Sequence, residues 1–142
     1  MACVPQGEAS QADAPADEST TQVSDAAASS APTRLAVVWS SADREVALKV
    51  TFMYTLNAKS QGWFDEVTLI VWGPSSLLLS QDEELQEYVA RMQEAGVEVV
   101  ACQACADSYG VSDALRGFGV DVKYMGRPLT EMLQGDWKVL TF

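Results

Sequence analysis

Short, largely apolar runs, each followed by a segment of helical period, constrain this chain more than any other feature. Arg34-Leu35-Ala36-Val37-Val38-Trp39 is the first run. Phe64 to Trp72, apolar at its centre, is the second, and Val97 to Ala101 is the third. A strand that faces water on one side alternates apolar and polar residues. A strand without that alternation is buried on both faces, as in a parallel sheet covered by helices.

The segments between the runs supply the helices. After Ser40-Ser41-Ala42-Asp43, with Ser41 or Asp43 as N-cap, a long helix is expected from about Arg44 to Lys59. Its apolar residues cover more than one face, which predicts burial on two sides, the second of them against another subunit or left partly exposed. Gly73-Pro74-Ser75-Ser76 breaks the second strand, and Ser75 or Ser76 is in place to cap a short turn through Leu79. Asp82 to Ala95 is amphipathic, with Leu85, Tyr88, Val89 and Met92 on one face, and Gly96 closes it. Beyond the third run, Ser112 opens a further short helix. Val120 to Tyr124 reads as a fourth strand, Gly126 to Met132 as a turn and short helix, and Trp137 to Phe142 as a last strand. The order β-α-β-α-β-α-β-α-β predicts a three-layer α/β/α domain with a five-stranded, mainly parallel sheet. Sites in such folds lie at the carboxyl ends of the strands. That edge collects Ser40, Ser41, Gly73, Pro74, Ser75, Cys102, Met125 and Gly126.

Composition divides the chain at about residue 33. Residues 1–33 carry five acids and no base, three prolines and no aromatic side chain. Such a segment buries too little apolar surface to offset the entropy of ordering, and a disordered acidic tail is expected there. It lacks the basic start and apolar stretch of a signal peptide. Cys3 at the head of a polar tether gives an alternative, since a mature lipoprotein begins in the same way, and a truncated export signal would leave that pattern. Residues 34–142 hold the other 15 of the 20 acids and all nine Lys and Arg, a net charge of −6 within the total of −11. An acidic domain without a basic stripe argues against nucleic acid and anionic membrane as partners. No apolar run reaches the roughly 18 residues of a membrane span. Neither a G-x-G-x-x-G nor a G-x-x-x-x-G-K-[ST] motif is present, so no nucleotide cofactor is expected. Three cysteines suit a reducing, cytoplasmic setting better than a disulfide scaffold.

Covalent chemistry concentrates at Cys102 and Cys105, a C-x-x-C pair at the end of the third run, in a chain without histidine. A thiol where a strand feeds a helix meets unpaired backbone N–H groups, which favour the thiolate. The residues leave several readings open. The pair could fill space as small apolar side chains under the sheet edge. It could exchange with a disulfide, although Gln103-Ala104 between the thiols is unlike the Trp-Cys-Gly-Pro-Cys of thioredoxins. It could close as a redox sensor, or one thiol could carry sulfur as a persulfide. A zinc site would need four ligands, and one C-x-x-C with a distant Cys3 does not supply them, so no metal is expected.

Residues 34–142 resemble the DsrE/TusD family, whose fold is also called DsrE-like or YchN-like. The resemblance is carried by Leu35 to Trp39, Phe52 to Ala58, Val71-Trp72-Gly73-Pro74-Ser75, Ala101 to Ala106, Tyr124-Met125-Gly126 and Val139 to Phe142. Cys102, with Ala106 and with Gly110 eight positions on, matches the cysteine that carries the persulfide in sulfur-relay members. Cys105 falls where those members usually have a small residue, and Ser108-Tyr109 stand where they usually have basic ones. The resemblance implies a sulfur carrier or sulfurtransferase-like protein that accepts sulfane sulfur on Cys102, with Cys105 secondary. Ser40, Gly73, Pro74, Ser75, Met125 and Gly126 would surround the substrate, and Trp39 and Trp72 would help to wall the pocket. It also implies a homo-oligomer, trimeric or hexameric, and a sulfur donor or acceptor protein as partner. A non-catalytic oligomeric module that binds a ligand or partner at the strand edge is the alternative of another class.

Overall fold

A computed structural model describes residues 31–142. The expected tail lies outside these residues except for its last three, and Cys3 lies outside them too. Strands β1 (Arg34–Trp39), β2 (Glu66–Val71), β3 (Glu98–Cys102), β4 (Asp121–Lys123) and β5 (Lys138–Thr141) form one sheet in the order β4-β3-β2-β1-β5. Every pairing is parallel, where the sequence predicts a mainly parallel sheet. Val37 lies beside Leu69 and Leu140, and Leu69 beside Val99, so the apolar centres of the runs line up across the sheet.

Successive residues of a strand point to opposite faces. Leu35, Val37 and Trp39 of β1, Val67, Leu69 and Val71 of β2, and Val99 and Ala101 of β3 therefore share one face and one core. Ala36, Val38, Ile70, Val100 and Cys102 share the other. Both faces are buried, which is the physical meaning of strands without alternation.

The two faces are covered unequally. Helix α1 runs through Arg44–Val46, Ala47–Thr51 and Phe52–Ser60; α2 is Ser75–Gln81, α3 Glu83–Glu94, α4 Gln103–Tyr109, α5 Ser112–Gly117 and α6 Gly126–Gln134. Phe52 of α1, Leu79 of α2, Leu85, Val89 and Met92 of α3 and Leu115 of α5 pack on the first face. Leu129 and Met132 of α6 pack on the second. Crossovers between parallel strands are right-handed. From β1 to β4 the chain steps in one direction, so its connections fall on one face. From β4 to β5 it steps back across the sheet, so α6 falls on the other.

Helix α1 departs from the expected regular helix. Ala47–Thr51 is wound as a π-helix, and the Thr51 hydroxyl donates to the Val46 carbonyl five residues back, at 3.3 Å. Ala47, Thr51, Phe52, Thr55 and Ala58 turn inward. The Phe52 ring meets Trp39 edge-on at 4.7 Å and Tyr88 at 5.3 Å, joining β1, α1 and α3. Val50, Met53 and Tyr54 are left on the outer side, with Trp63 next to Tyr54. Of the two cap candidates, Asp43 serves: its Oδ1 accepts from the Glu45 and Val46 N–H groups, and Ser41 Oγ accepts from the Asp43 N–H. Ser75 and Ser76 do not cap α2. Pro74 occupies the N-cap position and no side chain bonds there.

Two surface carboxylates hold element ends together. Asp65, before β2, accepts from the Thr33 N–H at 2.7 Å and the Thr33 hydroxyl at 3.0 Å. Asp82 caps α3 through the Leu85 N–H and pairs with Arg44, which also meets Glu84. The Thr33 backbone N–H holds the Asp65 carboxyl below its ordinary value, and Arg44 does the same for Asp82. Groups depressed in this way add stability above the unfolded carboxylate value of about 4 and lose it as pH falls through their folded values. Acid titration followed by circular dichroism is therefore expected to lower the melting temperature below about pH 4, with a shallower fall in Asp65→Asn and Asp82→Asn. Equal slopes in all three proteins would contradict this.

Glycine is required at 110 for its conformation and not for space. Gly110 ends α4 at φ +70°, and an added Cβ would meet nothing within 4 Å. Gly110→Ala is expected to cost about 1–2 kcal/mol in urea unfolding, the penalty of the left-handed conformation. Gly117, helical and equally uncrowded, serves as the control. Gly117→Ala is expected to be neutral or stabilising by up to about 1 kcal/mol.

Candidate functional site

The carboxyl end of β3 is shaped by its neighbours in the sheet. Val71 of β2 lies beside Ala101, so Trp72 follows alongside Cys102 on that flank. On the other flank Lys123 of β4 is the register partner of Cys102. The two loops that frame this strand end are therefore Trp72-Gly73-Pro74 after β2 and Tyr124-Met125-Gly126 after β4.

Cys102 occupies the N-cap position of α4 with extended backbone, φ −70° and ψ 115°. Its side chain turns to the second face of the sheet and is 5% exposed, packed in the cluster of Ile70, Val100 and Met125. Cys105 stands one turn further on and is half-buried against the same cluster. Ala106 beside it turns to the opposite core. Helix α4 thus straddles the sheet edge and directs both thiols to the thinly covered face.

Cys105 packs against the cluster that holds Cys102, and the Gly73 turn of the neighbouring framing loop lies beside it. Gly73 has φ +65°, and a Cβ there would meet nothing within 4 Å. The left-handed turn is what calls for glycine. Burial pushes the Cys105 thiol up, the neighbouring Cys102 thiol pushes it further, and the Gly73 main chain opposes both. The expectation that the start of a helix favours the thiolate does not hold at Cys105, because desolvation outweighs the N–H groups.

The other residues expected at this edge divide into two groups. Gly73, Pro74, Met125 and Gly126 lie on the two framing loops; Pro74 and Gly126 reach solvent, and Met125 is buried against Cys102. Ser40 and Ser75 do other work. Ser40 ends β1, two strands from β3, at a lateral separation of roughly 10 Å. Its N–H and its hydroxyl both donate to the Phe142 carbonyl, at 2.8 and 2.9 Å. Ser75 is buried; its hydroxyl donates to the Trp39 carbonyl at 2.5 Å and accepts from the Trp72 N–H at 3.1 Å. It ties the end of β1 to the end of β2. Trp39 belongs to the core of the first face, packed edge-on against Phe52, and does not wall the thiols, whereas Trp72 packs on the same cluster as they do.

Sequence reasoning leaves the position of Lys123 open. The sheet register sets it beside Cys102 on the same face, and its ammonium pairs with Asp121 at 3.0 Å. The signal that locates it is strand order, which the linear sequence does not carry. Among the described residues no three His, Cys, Asp or Glu side chains gather as a metal ion would require. Two grooves of about 340 and 270 Å3 open on the first-face helices, at α1 and beside Phe118, and neither is lined by the thiols. No helix among the described residues is long and apolar enough to cross a membrane.

Comparison with known proteins agrees with this architecture. Residues 33–142 match the model of the DsrE/DsrF-like family. A conserved protein of unknown function from Bacteroides thetaiotaomicron, BT1422, is 33% identical; the match covers 77% of this chain and 94% of that one, with a TM-score of 0.74. The YchN protein of E. coli is 18% identical over 78% of this chain and 99% of its own, with a TM-score of 0.60. MTH1491 of Methanobacterium thermoautotrophicum, also of unknown function, is 19% identical over the same shares, with a TM-score of 0.63. The last two likenesses bear on the fold alone. Curated proteins give no match. With the match spanning all five strands and both framing loops, the chain belongs to the DsrE/DsrF-like family.

Proposed function

We propose that this protein is a sulfur carrier of sulfurtransferase type that accepts sulfane sulfur on Cys102 and passes it on. The observation that supports this most is the meeting of two thiols at the end of β3, in a family associated in general with sulfur relay. In the first step the Cys102 thiolate attacks the outer sulfur of a donor persulfide. The donor S–S bond breaks, a new S–S bond forms on Cys102, and the donor leaves as a thiolate. In the second step an acceptor nucleophile attacks the outer sulfur and Cys102 leaves as thiolate. Neither step changes the total oxidation state.

Met125 and Trp72 give the persulfide an apolar wall that limits its hydrolysis. Lys123 is the cation nearest Cys102 in sheet register. Donor and acceptor approach from the side of the two framing loops, where Pro74, Tyr124 and Gly126 are exposed. Ser40 and Ser75 have no part in this reading, because their hydroxyls are held by main-chain carbonyls. The proposal carries with it a reducing, cytoplasmic setting, where such thiols persist.

A homo-oligomer belongs to the same proposal. The outer side of α1 presents Val50, Met53, Tyr54 and Trp63 around a groove of about 340 Å3 whose rim holds Lys49 and Asn57 and no acid. Trp63 is 55% exposed and Met53 44%. In a chain of net charge −11, copies meet with least repulsion where the surface is apolar and carries no acid. Met53→Asp and Trp63→Asp are expected to lower the mass seen in analytical ultracentrifugation to that of a monomer, with unchanged far-ultraviolet circular dichroism. A wild type that sediments as a monomer at high micromolar concentration would refute self-association.

The carrier itself is tested on the Cys105→Ser protein, treated with a sulfane-sulfur donor and weighed intact. One added sulfur atom per chain is expected, and none in Cys102→Ser. A gain that persists in Cys102→Ser and vanishes in Cys105→Ser would move the carrier to Cys105. No gain in either protein across several donors would favour the non-catalytic binding module.

A further inference from the structure

We propose that Cys105 resolves the Cys102 persulfide, so that the protein releases its sulfur as sulfide when no acceptor takes it. This rests on the carrier reading above and extends it from storage to release.

The geometry of the pair carries the inference. Cys102 stands at the N-cap of α4 and Cys105 one turn on, both packed in one cluster, so the two thiols are neighbours across the start of the helix. Residues three apart at the start of a helix hold their Cα atoms on the order of 5 Å apart. That separation lies within the range of about 4.4–6.8 Å that a disulfide spans. Both side chains face the same cluster, so closure needs no turn of the backbone. Their burial is unequal, with Cys102 almost covered and Cys105 partly open. A disulfide between them would show its Cys105 side to solvent, where an external dithiol can reach it.

The reaction balances without an oxidant. The persulfide on Cys102 and the thiol of Cys105 give the Cys102–Cys105 disulfide and hydrogen sulfide. The Cys105 sulfur attacks the inner sulfur of the persulfide, the bond to the outer sulfur breaks, and hydrosulfide leaves with the electron pair. Cys105 loses its proton and hydrosulfide takes one up. The persulfide sulfur is reduced to sulfide and the two cysteines are oxidised by the same two electrons. A small dithiol then reduces the disulfide by exchange and returns both thiols. A solitary carrier cysteine has no such route, because without a second thiol its persulfide waits for an acceptor.

The test uses the full chain, reduced, under anaerobic conditions. Wild type, Cys105→Ser, Cys105→Ala and Cys102→Ser are exposed to inorganic polysulfide, desalted, and followed by intact mass and by sulfide assay. The expected result is a lasting gain of one sulfur atom in both Cys105 variants. Wild type passes instead to a form two hydrogens lighter than reduced protein and releases one sulfide per chain, and dithiothreitol restores its starting mass. A wild type that keeps the extra sulfur as long as Cys105→Ser does would overturn the resolution step and leave the carrier standing. Loss of two hydrogens without sulfide would overturn it as well, since the pair would then be oxidised by another route. No sulfur on either Cys105 variant and no sulfide from wild type would remove the carrier reading, and the resolution step with it.

Discussion

The handedness of the crossover is the constraint on which the rest of this molecule depends. Four strands laid down in one direction place the connecting helices on one face. The single backward step from β4 to β5 leaves α6 alone on the other. Every strand is parallel, so every carboxyl end arrives at one edge. A residue at a strand end is thereby given two things at once: loops from its neighbours on either side, and a choice between a thickly and a thinly covered face. Cys102 is at the end of β3 and turns to the thin face. Moving it one position along the strand would turn it to the opposite core, where five helices pack.

The placement of α4 continues this logic. Its residues change face within one turn, Cys105 to one side and Ala106 to the other. The small, buried Ala106 lets the helix start so close to the sheet edge, and Gly110 ends it after seven residues. A longer helix would carry the chain away before α5 could bring Leu115 back to the core. The Gly73 turn completes the arrangement from the neighbouring strand. A thiol costs less to bury than a carboxyl or an amine, because its neutral form is weakly hydrated. The edge therefore tolerates two cysteines, and the uncharged state is the one it favours at Cys105.

What is legible in the sequence follows the range of the forces involved. The runs Leu35 to Trp39 and Val99 to Ala101 stand out because burial on both faces writes an unbroken apolar signal. Asp43 and Asp82 are legible as helix starts because capping is local. Strand order is not, and with it goes Lys123, which becomes a neighbour of Cys102 only when β4 pairs with β3. The π-turn in α1 is invisible, since one hydroxyl bond to Val46 shifts the helix without altering the apolar pattern. Ser75 has the look of a cap or a binding residue, as serine before a helix does. Its partner is the Trp39 carbonyl, 36 residues away in the chain. Ser40 is alike in this, its partner being the Phe142 carbonyl. A hydroxyl at a strand end satisfies main chain or ligand equally well, and only the fold decides which.

The same distinction bears on the two thiols. Cys102 and Cys105 are the same residue type, and their spacing alone is compatible with filling, exchange or carriage. Burial divides them: one is almost covered and the other half open, in one cluster. A covered thiol suits a sulfur atom that must survive between donor and acceptor, because water and oxidants reach it slowly. A half-open neighbour suits an exchange step, because thiol–disulfide chemistry needs access for the incoming reductant. A single cysteine has to compromise between those demands. Two at this spacing separate them, and the separation depends on α4 crossing the sheet edge between positions 102 and 105.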